Sequence, residues 1–145
     1  MSLERLCLAC GLCCDGTLFT HVALTDEESR RLGFDGVLRQ PCENLGEGCR
    51  CRVYALRPKG CARFVCMLGR ALEDKEVPFD EAVELVNEAR RLREHLDALI
   101  PGELPAIPRA RHYEAHGTDN ELAVKVREAR RALEAFTLRH FLGRR

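Results

Sequence analysis

The sequence predicts an α+β fold that is mainly α, in which a small irregular cysteine module with short strands packs on a C-terminal amphipathic helical hairpin. Two observations support this prediction. All nine cysteines lie between Cys7 and Cys66, and two long apolar stripes with the period of an α-helix follow after residue 77. We therefore expect a cysteine module over residues 1–76 and a helical hairpin over residues 77–145, together forming one compact domain.

The composition limits the classes of function that fit the chain. It has 145 residues, of which 46% are hydrophobic and 32% charged, as is normal for a globular domain. Lysine and arginine balance aspartate and glutamate at 23 each, so no net charge attracts nucleic acid. The sequence has no signal-peptide pattern and no apolar run of membrane-spanning length. We expect a cytoplasmic protein with no nucleic-acid partner and no membrane partner.

The first half predicts short elements separated by loops. Alternating apolar residues over 17–24 predict a strand. Thr25 and Glu28 then form a capping-box pattern for a short helix that Gly33 should end. Residues 33–50 are rich in Gly, Asn, Pro and charge and predict a loop, residues 51–54 fit a second short strand, and residues 61–72 predict one short helix.

The second half predicts the helical hairpin. Residues 80–100 carry an apolar stripe at helical spacing, and prolines at 101, 105 and 108 predict a linker, with a surface loop over residues 112–116. A second helix should start at a capping-box pattern near residues 118–121 and run to about Leu142, with Gly143 as its C-cap. Its apolar stripe contains Leu122, Val126, Ala129, Leu133 and Phe136. Because two such stripes need apolar partners, these helices should pack on each other, on the cysteine half, or on a protein partner or second copy of the chain.

The cysteine spacing near the N-terminus indicates a metal centre. Reduced cysteines of a cytoplasmic protein more often bind metal or react with oxidants than form disulfides. Cys7, Cys10 and Cys13 have the C-x-x-C-x-x-C spacing that gives three ligands to a [4Fe-4S] cluster in bacterial ferredoxins. Cys14 follows Cys13 directly, and adjacent side chains usually point in different directions. We therefore expect Cys13 and Cys14 to serve different sites, or different edges of one larger site.

Three stretches together carry a family resemblance: CLACGLCC at residues 7–14, Cys42 with Leu45 three residues later, and CRVYALRPKGCARFVC at residues 51–66. They resemble the bacterial cysteine-cluster family known as CxxCxxCC or YkgJ-like, whose domains are described as zinc- or iron-chelating. Cys49 has no place in that pattern, and Val65 stands where the family often has proline. The resemblance implies this set of metal ligands: Cys7, Cys10, Cys13, Cys14, Cys42, Cys51, Cys61 and Cys66.

The identity of the metal stays open between iron and zinc. Eight thiolates suit two zinc sites, or one [4Fe-4S] cluster and a second centre. The ferredoxin-like spacing favours an iron-sulfur cluster or iron, which is the preferred hypothesis, whereas ligands dispersed over a small loop-rich module favour zinc. Residues 50–70 contain six basic residues and no acid, and their guanidinium groups could offset the negative charge of metal-bound thiolates.

Three functions follow as hypotheses. The first is a metal-binding protein, either an electron carrier or a structural and chelating module. The second is an enzyme subunit or domain whose cluster supports a reaction such as methyl transfer, because some flagellin lysine methylases resemble the family. The third is a thiol redox sensor. The sequence identifies no catalytic residue and no site for an organic cofactor, and Cys49 is the candidate reactive thiol only by elimination.

Overall fold

The computed structural model describes residues 2–47 and 50–143, and within them the fold is α+β and mainly helical, as the sequence predicts. A 3₁₀ helix lies at Tyr54–Leu56, and a π-helical turn lies at Leu138–Leu142. In chain order the other elements are α1 (Ser2–Cys10), β1 (His21–Ala23), α2 (Asp26–Leu32), β2 (Val37–Arg39), α3 (Lys59–Arg63), α4 (Met67–Glu73), α5 (Phe79–Leu99), α6 (Ala106–His116) and α7 (Glu121–Thr137).

The small sheet is an antiparallel pair formed by β1 and β2, with Val22 opposite Leu38. Both of these side chains are buried. β1 lies inside the segment predicted as a strand, but the prediction of a second strand over residues 51–54 is wrong. Its place is taken by an isolated bridge between Cys51 and Leu45. A three-residue strand such as β2 is too short to show an alternating pattern, so its segment read as a loop.

The start of α2 agrees with the sequence in detail. The Glu28 amide donates to the Thr25 hydroxyl at 3.2 Å, and the Thr25 amide donates to the Glu28 carboxylate at 3.1 Å. Gly33 ends the helix in the left-handed conformation, with φ of 78°. The capping box and the glycine C-cap are therefore confirmed.

The single helix predicted over residues 61–72 is divided in two. α3 ends at Arg63, and α4 begins after Cys66, whose Sγ accepts a hydrogen bond from the Gly69 amide at 3.3 Å. Phe64 and Cys66 have extended backbone at the break. Cysteine is not among the usual N-cap residues, so no capping signal in the sequence predicts this helix start.

The C-terminal helices form the predicted hairpin, but the connection between them is not a linker. α5 packs on α7, and α6 packs on both of them. Residues 112–116, predicted as a loop, are the end of α6. Pro108 is tolerated because it lies in the first turn of α6, where amides have no partner within the helix. Glu114 of α6 accepts hydrogen bonds from Arg130 of α7 at 2.5 and 2.9 Å, which holds the helix in place.

The start of α7 also differs from the prediction. Its N-cap is Asn120, whose side chain accepts from the Ala123 amide at 2.9 Å, and not Thr118. With this start Ala123 is buried, whereas Leu122, expected on the apolar stripe, is 36% exposed. At the other end, the π-helical turn continues α7 to Leu142, and Gly143 is the C-cap of that turn, where the sequence predicts the helix end.

The apolar residues form two clusters. The first, which we call the main core, contains residues of the cysteine half, residues of α5 and Phe141. It therefore has members on both sides of the boundary predicted at residue 76. That boundary stays a prediction. The second, the hairpin core, lies among α5, α6 and α7. The main core contains Leu6, Leu12, Leu18, Leu68, Leu72, Ala82, Val86, Ala89 and Phe141, and the hairpin core contains Leu96, Ile100, Ala106, Ala110, Val126, Ala129 and Leu133.

The π-helical turn after α7 places Phe141 in the main core. The buried Thr137 hydroxyl donates to the carbonyls of Leu133 and Glu134 at 3.0 and 3.1 Å, a type of bond that distorts the helical turn. Phe141 is consequently 1% exposed. In the part of the chain that the structure describes, no helix has the length and apolar character needed to cross a bilayer.

Candidate metal centre

The eight cysteines of the predicted ligand set surround one cavity of about 150 Å³. Leu3, Leu6, Phe64 and other apolar side chains complete its lining. Each of these cysteines is a free thiol. The fold therefore brings together residues that lie as far apart in the chain as Cys7 and Cys66. It does so without disulfide bonds among the described cysteines.

Four of these residues form what we call the first thiol group: Cys7, Cys10, Cys13 and Cys66. α1 carries Cys7 and Cys10, the turn after it carries Cys13, and Cys66 caps α4. α1 packs on α4, where a Cβ on Gly69 would lie 2.9 Å from Leu3 Cδ1. Cys10, Cys13 and Cys66 also pack against the main core. The first group is thus held by two helices and the core beneath them.

The other four residues form the second thiol group: Cys14, Cys42, Cys51 and Cys61. They come from four separate segments that backbone contacts join. The Cys42 amide donates to the Cys14 carbonyl at 2.7 Å, and Cys51 is bridged to Leu45, whose amide donates to the Cys42 carbonyl at 3.0 Å. Glu28 of α2 accepts from the Lys59 amide at 2.8 Å, which fixes the start of the helix that carries Cys61.

The adjacent residues Cys13 and Cys14 lie in different groups. The Gln40 side-chain amide donates to the Cys13 carbonyl at 2.9 Å, and the Cys42 amide holds the Cys14 carbonyl. Segment 40–42 therefore donates a hydrogen bond to the backbone carbonyl of each cysteine in the pair. Gln40 is buried and lines the cavity. Sequence reasoning missed it, since a single glutamine in a loop belongs to no motif.

The electrostatics of the thiols follow the same grouping except at Cys13, whose pKa is raised mainly by burial and also by the charge of Cys14. The pKa of Cys10 is raised to about 12, mainly by burial, with the Leu12 amide opposing the rise and the charges of Cys66 and Cys7 adding to it. Burial also raises the pKa of Cys14 to about 12, with the charges of Cys42, Cys51 and Cys61 as the next causes that raise it. Thiolates of one group thus oppose each other's ionisation, and a bound cation would relieve this repulsion.

Two backbone amides donate directly to sulfur. The Asn44 amide lies 3.4 Å from Cys42 Sγ, and the Gly69 amide lies 3.3 Å from Cys66 Sγ. They lower the pKa of their thiols, although burial, the larger effect, leaves both pKa values raised. Such hydrogen bonds orient sulfur ligands and favour the thiolate form.

The eight thiols are suitable ligands for a metal centre, but their sulfur atoms do not converge on common points in this structure. Four thiolates are the ligands that structural zinc and iron-sulfur clusters use. Within residues 2–47 and 50–143, however, no three Cys, His, Asp or Glu side chains are arranged so that they could hold a metal ion. Binding therefore requires the thiols of a group to move towards a common point. Cys49 lies outside the described residues.

Comparison with family models matches residues 6–81 to the CxxCxxCC family, described as a putative zinc- or iron-chelating domain. The chain belongs to this family. The matched segment covers more than half of the chain and contains both thiol groups, so the CxxCxxCC assignment supports zinc or iron binding by this half of the molecule. No curated protein and no solved structure gives a significant match.

A positively charged side chain also lines the cavity of this CxxCxxCC domain. Arg57 is half-buried and lines the cavity together with both thiol groups. Its guanidinium carbon lies 3.9 Å from the centre of the Tyr54 ring. In the sequence this residue belongs to the family motif and to a segment with six basic residues, and the structure distinguishes it from the other five, which are exposed.

Proposed function

We propose that this CxxCxxCC domain binds two metal centres, one in each thiol group. The observation that carries the proposal is the arrangement of the eight thiols, which line one cavity and interact mainly within two sets of four, with Cys13 and Cys14 as the neighbours between the sets. Four thiolates complete the coordination of a zinc ion or of a [4Fe-4S] cluster. The proposed ligands are Cys7, Cys10, Cys13 and Cys66 for the first centre and Cys14, Cys42, Cys51 and Cys61 for the second.

For the first centre we propose an iron-sulfur cluster. Its C-x-x-C-x-x-C spacing is that of ferredoxin ligands, and its apolar surroundings in the main core would limit access of water to a cluster. The second centre draws its ligands from four separate segments, as closed structural sites do, and suits a single iron or zinc ion. Zinc in both centres is the alternative.

For the process we propose electron transfer at the first centre and structural support at the second. Full thiolate coordination leaves no open position for a substrate at either metal. Cys7 is exposed, so an edge of the first centre would reach the protein surface, where an electron partner can approach. The second centre has no comparably exposed ligand among its four described cysteines.

The test is metal analysis of the full chain purified without oxygen. We expect iron, acid-labile sulfide and broad visible absorption in the wild type. Cys10→Ser should lose the acid-labile sulfide and keep the second centre, whereas Cys14→Ser should lose the second centre and keep the sulfide. Cys49→Ser, which changes a cysteine outside the family pattern, is the matched control and should keep both.

Several results would contradict the proposal. A colourless wild type with two equivalents of zinc would replace the iron centre by the zinc alternative. Equal metal retention in Cys10→Ser and Cys49→Ser would remove the ligand assignment. A wild type that binds neither iron nor zinc would overturn the function itself. Reversible reduction of the coloured centre, followed by its absorption, tests electron transfer separately.

A further inference from the structure

We propose that Arg57 is an electrostatic partner shared by both metal centres and that the Tyr54 ring holds it in position. The inference rests on the proposed function, because it concerns how two anionic centres are kept side by side. Arg57 is a positioning and charge-balancing residue here, and no bond between it and a metal is involved.

The location of Arg57 is the first argument. It lines the cavity that both thiol groups surround, and it is half-buried, so solvent screens its charge only in part. Cys7 of the first group and Cys61 of the second line the same cavity as Arg57. One guanidinium group therefore lies at a cavity that both thiol groups share.

The way in which Arg57 is held is the second argument. Its backbone is extended, with φ of −61° and ψ of 153°, as expected for a residue before proline, and Pro58 is fully buried. Tyr54 begins the 3₁₀ helix three residues earlier, and its ring lies against the guanidinium group. Stacking on an aromatic ring orients a guanidinium group and leaves its N–H donors free at the edge.

The need for such a cation is the third argument. Four thiolates around a divalent ion, or around an oxidised [4Fe-4S] cluster, leave a net charge of about −2 at each centre. Two such charges in one apolar cavity repel each other more strongly than they would in water. The remaining basic residues of segment 50–70 are exposed and lie outside the cavity lining: Arg50, Arg52, Lys59, Arg63 and Arg70.

The experiment measures release of zinc from the loaded full chain to a coloured chelator. Zn²⁺ is the probe because it takes four thiolates in either group. Arg57→Gln should release zinc from both centres about 10- to 100-fold faster, the range found when a supporting partner of a metal ligand is removed. Arg57→Lys should restore part of the retention, since it keeps the charge without the planar group. Arg63→Gln, an exposed residue of the same basic segment, is the matched control and should behave as the wild type.

Substitutions of Tyr54 test the same idea without touching the charge. Tyr54→Phe keeps the ring face and should retain zinc as the wild type does, whereas Tyr54→Leu should release it faster, by a smaller factor than Arg57→Gln. Circular dichroism of each loaded variant before the chelator is added checks that the fold is intact. If Arg57→Gln does not fold, the comparison of Tyr54→Phe with Tyr54→Leu decides.

The outcomes separate this inference from the proposed function. A wild type that binds no zinc refutes the function. Two bound equivalents with equal release from Arg57→Gln and Arg63→Gln refute the role of Arg57 and leave the function standing. Faster release of only one equivalent refutes the sharing between centres. Equal release from Tyr54→Phe and Tyr54→Leu refutes the role of the ring.

Discussion

At the scale of single residues, Gln40 supports the backbone at the Cys13–Cys14 pair. Its side-chain amide holds the Cys13 carbonyl from a buried position. Gln40→Ala would leave that carbonyl without its partner, at a cost of about 1–3 kcal/mol. We expect the zinc-loaded variant to unfold at a lower temperature and to release metal faster from both centres. Arg39→Ala, an exposed neighbour, is the control and should change neither.

Calorimetry of the loaded proteins, combined with the chelator assay, measures both effects. An unchanged unfolding temperature in Gln40→Ala would mean that the hydrogen bond contributes nothing. Faster release of metal from one centre alone would mean that the Gln40 hydrogen bond supports only that thiol group.

Glu28 gives a prediction about pH. Its pKa is lowered because the backbone amides of Thr25 and Lys59 donate to the carboxylate. A pKa lower in the folded than in the unfolded state means that the charged carboxylate stabilises the fold above about pH 4.5, and this contribution is lost as the pH falls through the folded value. Glu28→Gln should therefore lower stability near neutral pH and show a shallower loss on acidification.

Urea unfolding of the wild type and variants between about pH 3 and 6 measures this slope. Glu27→Gln is the control, because Glu27 is exposed in the same helical turn and accepts none of these bonds. Metal release in acid affects every variant, so the difference between Glu28→Gln and Glu27→Gln is the quantity that matters. The same slope in both variants would show that the Glu28 bonds do not stabilise the fold.

The sequence predicted which cysteines the fold gathers, but not the residues that support them. The resemblance to the CxxCxxCC family, which local motifs carry, implied eight ligand cysteines, and all eight line one cavity. It included Arg57 in the later motif without a role for it, and no motif contained Gln40. Those roles depend on which backbone carbonyl or thiol lies nearby in three dimensions, and no local pattern encodes that.

At the scale of elements, the contact between α1 and α4 positions the first thiol group. Gly69 lies at this contact, where a Cβ would be 2.9 Å from Leu3 Cδ1 and 3.1 Å from Val65 Cγ1. Gly69→Val should separate the two helices and destabilise the fold by about 1–3 kcal/mol. Release from the first centre should become faster, while the second centre, which uses neither helix, should be unaffected.

Arg70→Val is the matched control for this prediction. It places the same side chain at the next position of α4, where the residue is exposed, and it lowers the helix propensity, whereas Gly69→Val raises it. Thermal unfolding and chelator competition compare the two variants. A loss of stability in Gly69→Val no larger than that in Arg70→Val would contradict the contact between α1 and α4 as its cause.

Helices were predicted correctly where a pattern of nearby residues, such as an apolar stripe or a capping box, specifies them. The stripe of α5, the stripe of α7 from Val126 onward and the capping box of α2 were correct because each depends on neighbours within a few residues. α6 was missed because its prolines resemble a linker, although Pro108 is harmless in a first turn. The break between α3 and α4 was missed because a thiol, an unusual cap, begins α4.

At the scale of the whole molecule, the two apolar clusters differ in what supports them. The hairpin core lies among α5, α6 and α7, of 21, 11 and 17 residues, which also share ion pairs such as Glu114 with Arg130. The cysteine half has strands of three residues and helices of five to nine. Elements this short are marginal without tertiary support, which the metal centres would supply.

Removal of metal should therefore unfold the molecule unevenly. With a chelator present, amides of residues 2–47 and 50–74 should exchange with deuterium rapidly, whereas those of α5, α6 and α7 around the hairpin core should stay protected. Leu133→Ala tests the converse, because it perturbs the hairpin core and leaves the metal centres unchanged. It leaves a cavity in the hairpin core at a cost of about 2–5 kcal/mol, and it should keep both metal equivalents because Leu133 contacts no thiol group. Simultaneous exchange of both halves on chelation would mean that one cooperative unit spans the main core and the hairpin core, and that metal stabilises the hairpin as directly as it does the cysteine half.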